Sequence, residues 1–83
     1  MQFPVYRKYP NNLSFFKIVD DRHFIEVKLT GRRAEVHPIE AKILPDMNFI
    51  QDMLKMEGGH WMESSAEEFS LHLASARAHR AGI

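Results

Sequence analysis

The chain has 83 residues and no cysteine, and its eleven basic side chains are balanced by eleven acidic ones. The lack of cysteine excludes disulfides, thiolate zinc sites and cysteine nucleophiles. A net charge of zero disfavours a protein that a basic surface steers to nucleic acid. A core of this size is only just large enough to hold a fold, and association of subunits is a common remedy.

No stretch of the sequence has the apolar run of a signal peptide or of a membrane-spanning helix. We therefore expect a soluble, cytoplasmic protein that does not contact a membrane and folds as one α+β domain over residues 1–83. Residues 79–83, "HRAGI", are expected to form a frayed C-terminal tail.

Four extended segments are predicted in the first half of the chain. "FPVYRKY" and "LSFFKIV" are rich in aromatic and β-branched residues and are separated by the turn signal "PNN". "HFIEVKLT" alternates apolar with polar side chains, which is the period of a half-buried strand. A tight turn at Gly31 and Arg32 leads into "RAEVH". Links as short as these favour an antiparallel meander.

Pro38 interrupts the fourth segment. Proline has no N–H for a central ladder, so this residue is predicted to lie at a bulge or on an edge strand. The apolar–polar alternation continues beyond it, and the strand is expected to run to Leu44. If Val36 and Ile39 face the same side, one residue is inserted between them, as in a bulge.

The period changes to that of a helix after residue 45. A first helix is predicted over residues 46–57, with Asp46 as its N-cap and Gly58 as the left-handed residue that ends it. The segment "HWME" that follows is long enough for a short fifth strand, with Trp61 over the core.

A second helix is predicted over residues 66–78. Ser65 with Glu68 has the spacing of a capping box, and Ser64 with Glu67 offers the same box one residue earlier.

These elements predict an antiparallel four-stranded meander plus a short fifth strand, in the order ββββαβα, with both helices packed on one face of the sheet. The expected core consists of apolar side chains from every element except the first strand: Ile18, Ile25, Val27, Leu29, Val36, Ile43, Ile50, Leu54, Trp61, Phe69 and Leu73.

One face of such a sheet stays open and carries aromatic side chains. Phe24 faces away from the predicted core, and so does one of Phe15 and Phe16, although the sequence does not decide which. Exposed aromatic clusters usually mark an interface. We therefore expect a homodimer through this open face. The candidate interface residues are Phe15, Phe24, Lys17, Glu26 and Lys28.

Basic and aromatic side chains are interleaved on the first strands and near the third turn. A sheet with aromatics for stacking and cations for phosphates is typical of single-strand nucleic-acid binders. This alternative function would use Tyr6, Arg7, Lys8, Arg32 and Arg33.

The five histidines have no helical or zinc-finger spacing. A second alternative is a small-molecule or metal site that brings His37, Glu40 and His60 together in three dimensions. No nucleophile motif and no phosphate-binding glycine pattern is present. The leading interpretation is a small non-catalytic binding or structural module without a cofactor.

Overall fold

The structure is a computed structural model that describes residues 2–31 and 33–81. The strands are β1 (Val5–Lys8), β2 (Ser14–Ile18), β3 (His23–Thr30), β4 (Arg33–Glu40) and β5 (Met62–Glu63). The helices are α1 (Leu44–Lys55) and α2 (Ala66–Ala81), and a 3-10 turn over Glu57–Gly59 follows α1. The strands form one antiparallel sheet in the order β4-β3-β2-β1-β5. The predicted α+β class and the order ββββαβα are confirmed.

The pairing of β3 with β4 is continuous from Thr30↔Arg33 to His23↔Glu40, and Pro38 lies opposite Ile25. The predicted bulge at Pro38 is therefore wrong. The predicted edge position is right, because β4 is the outermost strand on its side of the sheet. A proline fits there when its nitrogen points away from the neighbouring strand.

The two helices lie on opposite faces of the sheet. Phe16 and Phe24 are buried together with Ile50 of α1. Phe15 instead stacks on His72 of α2, with 3.9 Å between the ring centroids. Phe15 and Phe16 are consecutive residues of one strand, so their side chains point to opposite faces. The predicted placement of both helices on one face is wrong.

The expected open aromatic face does not exist in the described part of the chain. Phe15 is 1% exposed and Phe24 is 4% exposed, each beneath a different helix. Lys17 follows the parity of Phe15, whereas Glu26 and Lys28 follow that of Phe24. The five candidate interface residues thus do not form one surface, because the sheet has a helix on each side.

Helix α1 starts at Leu44, two residues before its predicted start. Ile43 is its N-cap and provides no side-chain hydrogen bond, and proline occupies the first turn. Strand β4 ends at Glu40 instead of continuing to Leu44. Ile43, which was expected in the core, is consequently 59% exposed.

The C-terminus of α1 is formed by Met56 and not by Gly58. Met56 has a φ of 54°, and its backbone N–H bonds to the carbonyls of Asp52 and Met53. Gly58 is also left-handed, with a φ of 85°, but it lies in the 3-10 turn that follows.

Helix α2 starts as predicted and runs to Ala81, three residues beyond its predicted end. The hydroxyl of Ser65 accepts the backbone N–H of Glu68 at 3.1 Å, which confirms the predicted N-cap. Residues 82 and 83 of the predicted tail lie outside the described residues. Within the described residues, neither helix combines the length and the apolar character that crossing a membrane requires.

Trp61 is 5% exposed, so its predicted burial is confirmed. It directly precedes β5, and its ring lies 5.1 Å from that of Tyr9, 5.4 Å from that of Phe16 and 5.5 Å from that of Phe49. The segment between the two helices therefore fills the core on the α1 face.

Candidate binding pocket at the end of β3 and β4

A pocket of about 360 Å³ lies where β3 begins and β4 ends. It is lined by residues that follow β2, begin β3 or end β4: Val19, His23, Phe24, Ile25, Pro38, Ile39 and Glu40. We call this cavity the β3–β4 pocket. The described side chains of α2 pack against Ala34 and Val36 near the other end of β4, and none of them lines the pocket.

The lining of the β3–β4 pocket is mainly apolar. Ile25 and Pro38 lie opposite each other on neighbouring strands and share a face of the sheet. Val19 is 40% exposed, which is high for an aliphatic side chain next to other apolar groups. Concave apolar surfaces with a few polar groups are the usual form of ligand sites.

Two polar side chains, His23 and Glu40, line the same pocket. Nδ1 of His23 is 2.8 Å from Oδ1 of Asp20 in the preceding turn, and Nε2 is 3.8 Å from Oε2 of Glu40. The backbone N–H of Arg22 and the ring of His23 both bond to Asp20 and lower the pKa of its carboxyl group. Asp20 is therefore ionised at neutral pH and accepts a hydrogen bond from Nδ1 of His23.

This geometry sets what the pocket can recognise. Donation of Nδ1 to Asp20 holds the ring of His23 in place, and the Glu40 carboxylate lies 3.8 Å from its Nε2 at the pocket. This carboxylate, with Asp20 behind His23, favours a ligand group that is cationic or carries N–H donors. The apolar lining favours an aliphatic or aromatic body attached to that group.

The three residues of the predicted polar site are not brought together. His37 and Glu40 are three positions apart in one strand, so they lie on opposite faces of the sheet. His60 precedes β5, at the opposite edge of the sheet from β4. Of the three, only Glu40 lines the pocket. Among the side chains that the structure describes, those of residues 2–31 and 33–76, no group of three or more acidic or histidine residues is placed to hold a metal ion.

The cations proposed for nucleic-acid binding on β1 are used inside the fold. Nε of Arg7 donates to the carbonyl of Met53 at 2.9 Å, at the C-terminus of α1. Nζ of Lys8 is 2.9 Å from Oε2 of Glu68, at the N-terminus of α2. The ring of Tyr6 packs against Phe69 at 5.8 Å. Each of these three side chains thus connects β1 to a helix.

Arg33, another candidate cation, lies on the far side of the sheet from β1. It begins β4 and is exposed, whereas Arg32 lies outside the described residues. The four described nucleic-acid candidates therefore do not form one basic patch.

A separate polar network lies on the α1 face. The buried hydroxyl of Ser14 donates to Oε2 of Glu26 at 2.9 Å. Burial and the nearby Glu26 carboxylate raise the pKa of Tyr9 above its ordinary value of 10.0. Ser14 already has a partner in Glu26, so this network satisfies polar groups at the margin of the core.

Sequence reasoning missed His23, Val19 and Pro38 as pocket residues. A usable signal was the polar run "DDRH", which ends at the first residue of β3, because Asp favours turns that its own side chain stabilises. Here the backbone N–H of Arg22 bonds to Oδ1 of Asp20 at 2.8 Å. The presence of Val19 and Pro38 in one pocket depends on strand pairing, which the sequence does not state.

The chain matches no protein-family model, no curated protein and no solved structure.

Proposed function

We propose that this protein is a small non-catalytic binding module and that the β3–β4 pocket is its binding site. The observation that carries the proposal is the apolar lining beside the Asp20–His23–Glu40 array. The preferred ligand group has an apolar body and a cationic or N–H-donating end. A side chain of a partner protein or a small amine would both satisfy this chemistry.

Self-association through an open aromatic face is not part of this proposal, because Phe15 and Phe24 are buried within one chain. Binding of single-stranded nucleic acid is less well supported, because Arg7 and Lys8 already bond to helix groups. The shape of the β3–β4 pocket and the polar groups that line it support its use as a binding site for one kind of ligand.

The test is a titration with two probes that share an apolar body and differ in charge. Isopentylamine is cationic at neutral pH and isovalerate is anionic, and both fit within a pocket of about 360 Å³. NMR spectra would follow the methyl groups of Ile25, which shares a face of the sheet with Pro38. Probes this small are expected to bind with dissociation constants in roughly the millimolar range. Isopentylamine should cause saturable shifts and bind more tightly than isovalerate.

Two matched variants localise the binding. Val19→Trp should fill the pocket and abolish the shifts, whereas Leu13→Trp places the same bulk on another exposed aliphatic residue, 50% exposed, in the β1–β2 turn. Equal binding of both probes, or shifts that persist in Val19→Trp, would contradict the proposal.

A further inference from the structure

The outer edge of β4 carries backbone groups that β3 does not use. The N–H of Ala41 donates to the carbonyl of Arg22, so this pair belongs to the hydrogen-bonded positions of the β3–β4 ladder. These positions alternate along an antiparallel pair. By that alternation Ala34, Val36, Pro38 and Glu40 direct their backbone groups outward.

We propose that the outer edge of β4 pairs with β4 of a second copy of this chain, antiparallel, with the two-fold axis at Val36. The two five-stranded sheets then become one continuous sheet across the axis. This inference does not depend on a ligand in the β3–β4 pocket. The proposed dimer surface is an edge of the sheet, whereas the sequence analysis expected an open face. A two-fold axis makes every contact occur twice.

The side chains of β4 complement one another in this register. Val36 lies opposite Val36 of the second copy, and Ala34 lies opposite Pro38, so apolar groups meet on the α2 face. Glu35 lies opposite His37 on the α1 face, where both side chains are exposed. Opposite charges directly across two strands stabilise their pairing, and like charges destabilise it.

The imidazole of His37 suits this contact. Its Nε2 is already 2.9 Å from Oε1 of Glu35 in the same chain. In the described part of the chain no hydrogen bond involves its Nδ1, which is left for Glu35 of the second copy. Two acidic and two histidine side chains would alternate around the axis.

Two neighbouring registers are less favourable in their side-chain pairing or in their backbone hydrogen bonding. An axis at Glu35 places Glu35 opposite Glu35 of the second copy, which sets like charges across the interface. An axis at His37 places Val36 opposite Pro38 on both sides, so each central pair lacks one donor. Of the three registers compared, the axis at Val36 both keeps the central pair of backbone bonds and avoids Glu35 opposite Glu35.

Pro38 limits the length of this pairing. In the proposed register the N–H of Ala34 donates to the carbonyl of Pro38, but Pro38 returns no hydrogen bond. The pairing is therefore short, and we expect an association that depends on protein concentration rather than a permanent dimer.

The first experiment measures mass by sedimentation equilibrium from micromolar to millimolar protein. The 9.7 kDa chain should approach twice that mass as concentration rises. Glu35→Lys should weaken association about tenfold, because it replaces two favourable cross-strand pairs by two unfavourable ones. The matched control is the exchange Glu35→His with His37→Glu, which keeps unlike partners opposite each other and should restore association to within about twofold. A monomer at all concentrations overturns the inference, as does an exchange variant no stronger than Glu35→Lys.

The second experiment locates the axis with single cysteines, which is clean because the chain has none of its own. At Val36→Cys the two Cα atoms would lie about 5.5 Å apart, within the range of a disulfide. At Ala34→Cys they would lie about 13 Å apart, from roughly 3.3 Å per residue over four positions. Mild oxidation should crosslink Val36→Cys and not Ala34→Cys. Crosslinking of Glu35→Cys in preference to Val36→Cys would place the axis elsewhere and overturn the register. A monomer that still binds isopentylamine would reject this inference and leave the proposed function intact.

Discussion

The two edges of the sheet are built in different ways. At one edge the two-residue strand β5 pairs with β1, and the cations of β1 bond to the ends of both helices. At the other edge, no described strand lies beside the outer side of the eight-residue strand β4, and the end of β4 lines the β3–β4 pocket. Polar side chains thus hold the fold together at the first edge and remain available at the second. This difference is the reason why we propose binding at the β4 edge.

The largest expected effect on stability tests the edge formed by β5 and β1. Trp61→Ala removes a ring packed among other aromatic rings and should lower the free energy of unfolding by about 3–5 kcal/mol. Urea denaturation followed by circular dichroism measures this change. Ile43→Ala, at a residue 59% exposed, is the control and should change stability by less than about 0.5 kcal/mol. A loss below about 1 kcal/mol for Trp61→Ala would mean that this segment is not part of the core.

The next effect compares one arginine from each edge. Arg7→Ala should cost about 1.5–3 kcal/mol, because its guanidinium donates to two carbonyls at the end of α1. Arg33→Ala on β4 should stay within about 0.5 kcal/mol of the unchanged protein, because Arg33 is exposed. The same denaturation measurement applies to both. Equal losses of stability in the two variants would contradict the proposed difference between the two edges of the sheet.

A smaller loss is expected at the start of α2. Ser65→Ala should cost about 0.5–2 kcal/mol, because the hydroxyl of Ser65 accepts the N–H of Glu68. Ser64→Ala tests a different contact, the hydrogen bond from Ser64 to the carboxylate of Glu68. The cap assignment predicts that Ser65→Ala is the more costly of the two. The reverse order in thermal melts would show that the helix begins one residue earlier.

The smallest effect is a pH dependence at Glu68. Hydrogen bonds from Ser64 and Lys8 lower the pKa of Glu68 below its ordinary value of 4.5. A lowered pKa in the folded state means that this stabilisation is complete above about pH 4.5 and is lost as pH falls through the folded value. Glu68→Gln should therefore reduce the difference in stability between pH 7 and pH 3. Glu67→Gln, at an exposed neighbour, is the matched control. An equal reduction in both variants would contradict the assignment.

The order of elements could be predicted from the sequence because each element shows its own hydrophobic period. The placement of the helices could not be predicted from β3, whose alternation fits one buried face. Strand β2 held the better signal. Phe15 and Phe16 are adjacent and both buried, and a strand with apolar groups on both sides indicates a sheet covered on both faces.

The candidate site was less accessible to sequence reasoning. The pocket depends on strand register, which places Ile25 beside Pro38 although thirteen positions separate them in the chain. The role of Arg7 depends on where α1 ends in space, and no local pattern encodes that position. Basic residues near aromatic ones therefore resembled a nucleic-acid surface, although they connect β1 to the helices.

Amide hydrogen exchange of dilute protein tests most directly whether the β4 edge is open. In a strand with one free side, N–H groups that point outward exchange with solvent, whereas those bonded to β3 are protected. We predict fast exchange at Ala34 and Val36, slow exchange at Glu35 and His37, and uniformly slow exchange in β2. Equal protection of Val36 and Glu35 in dilute protein would show that the chain covers its own β4 edge, and would contradict the account.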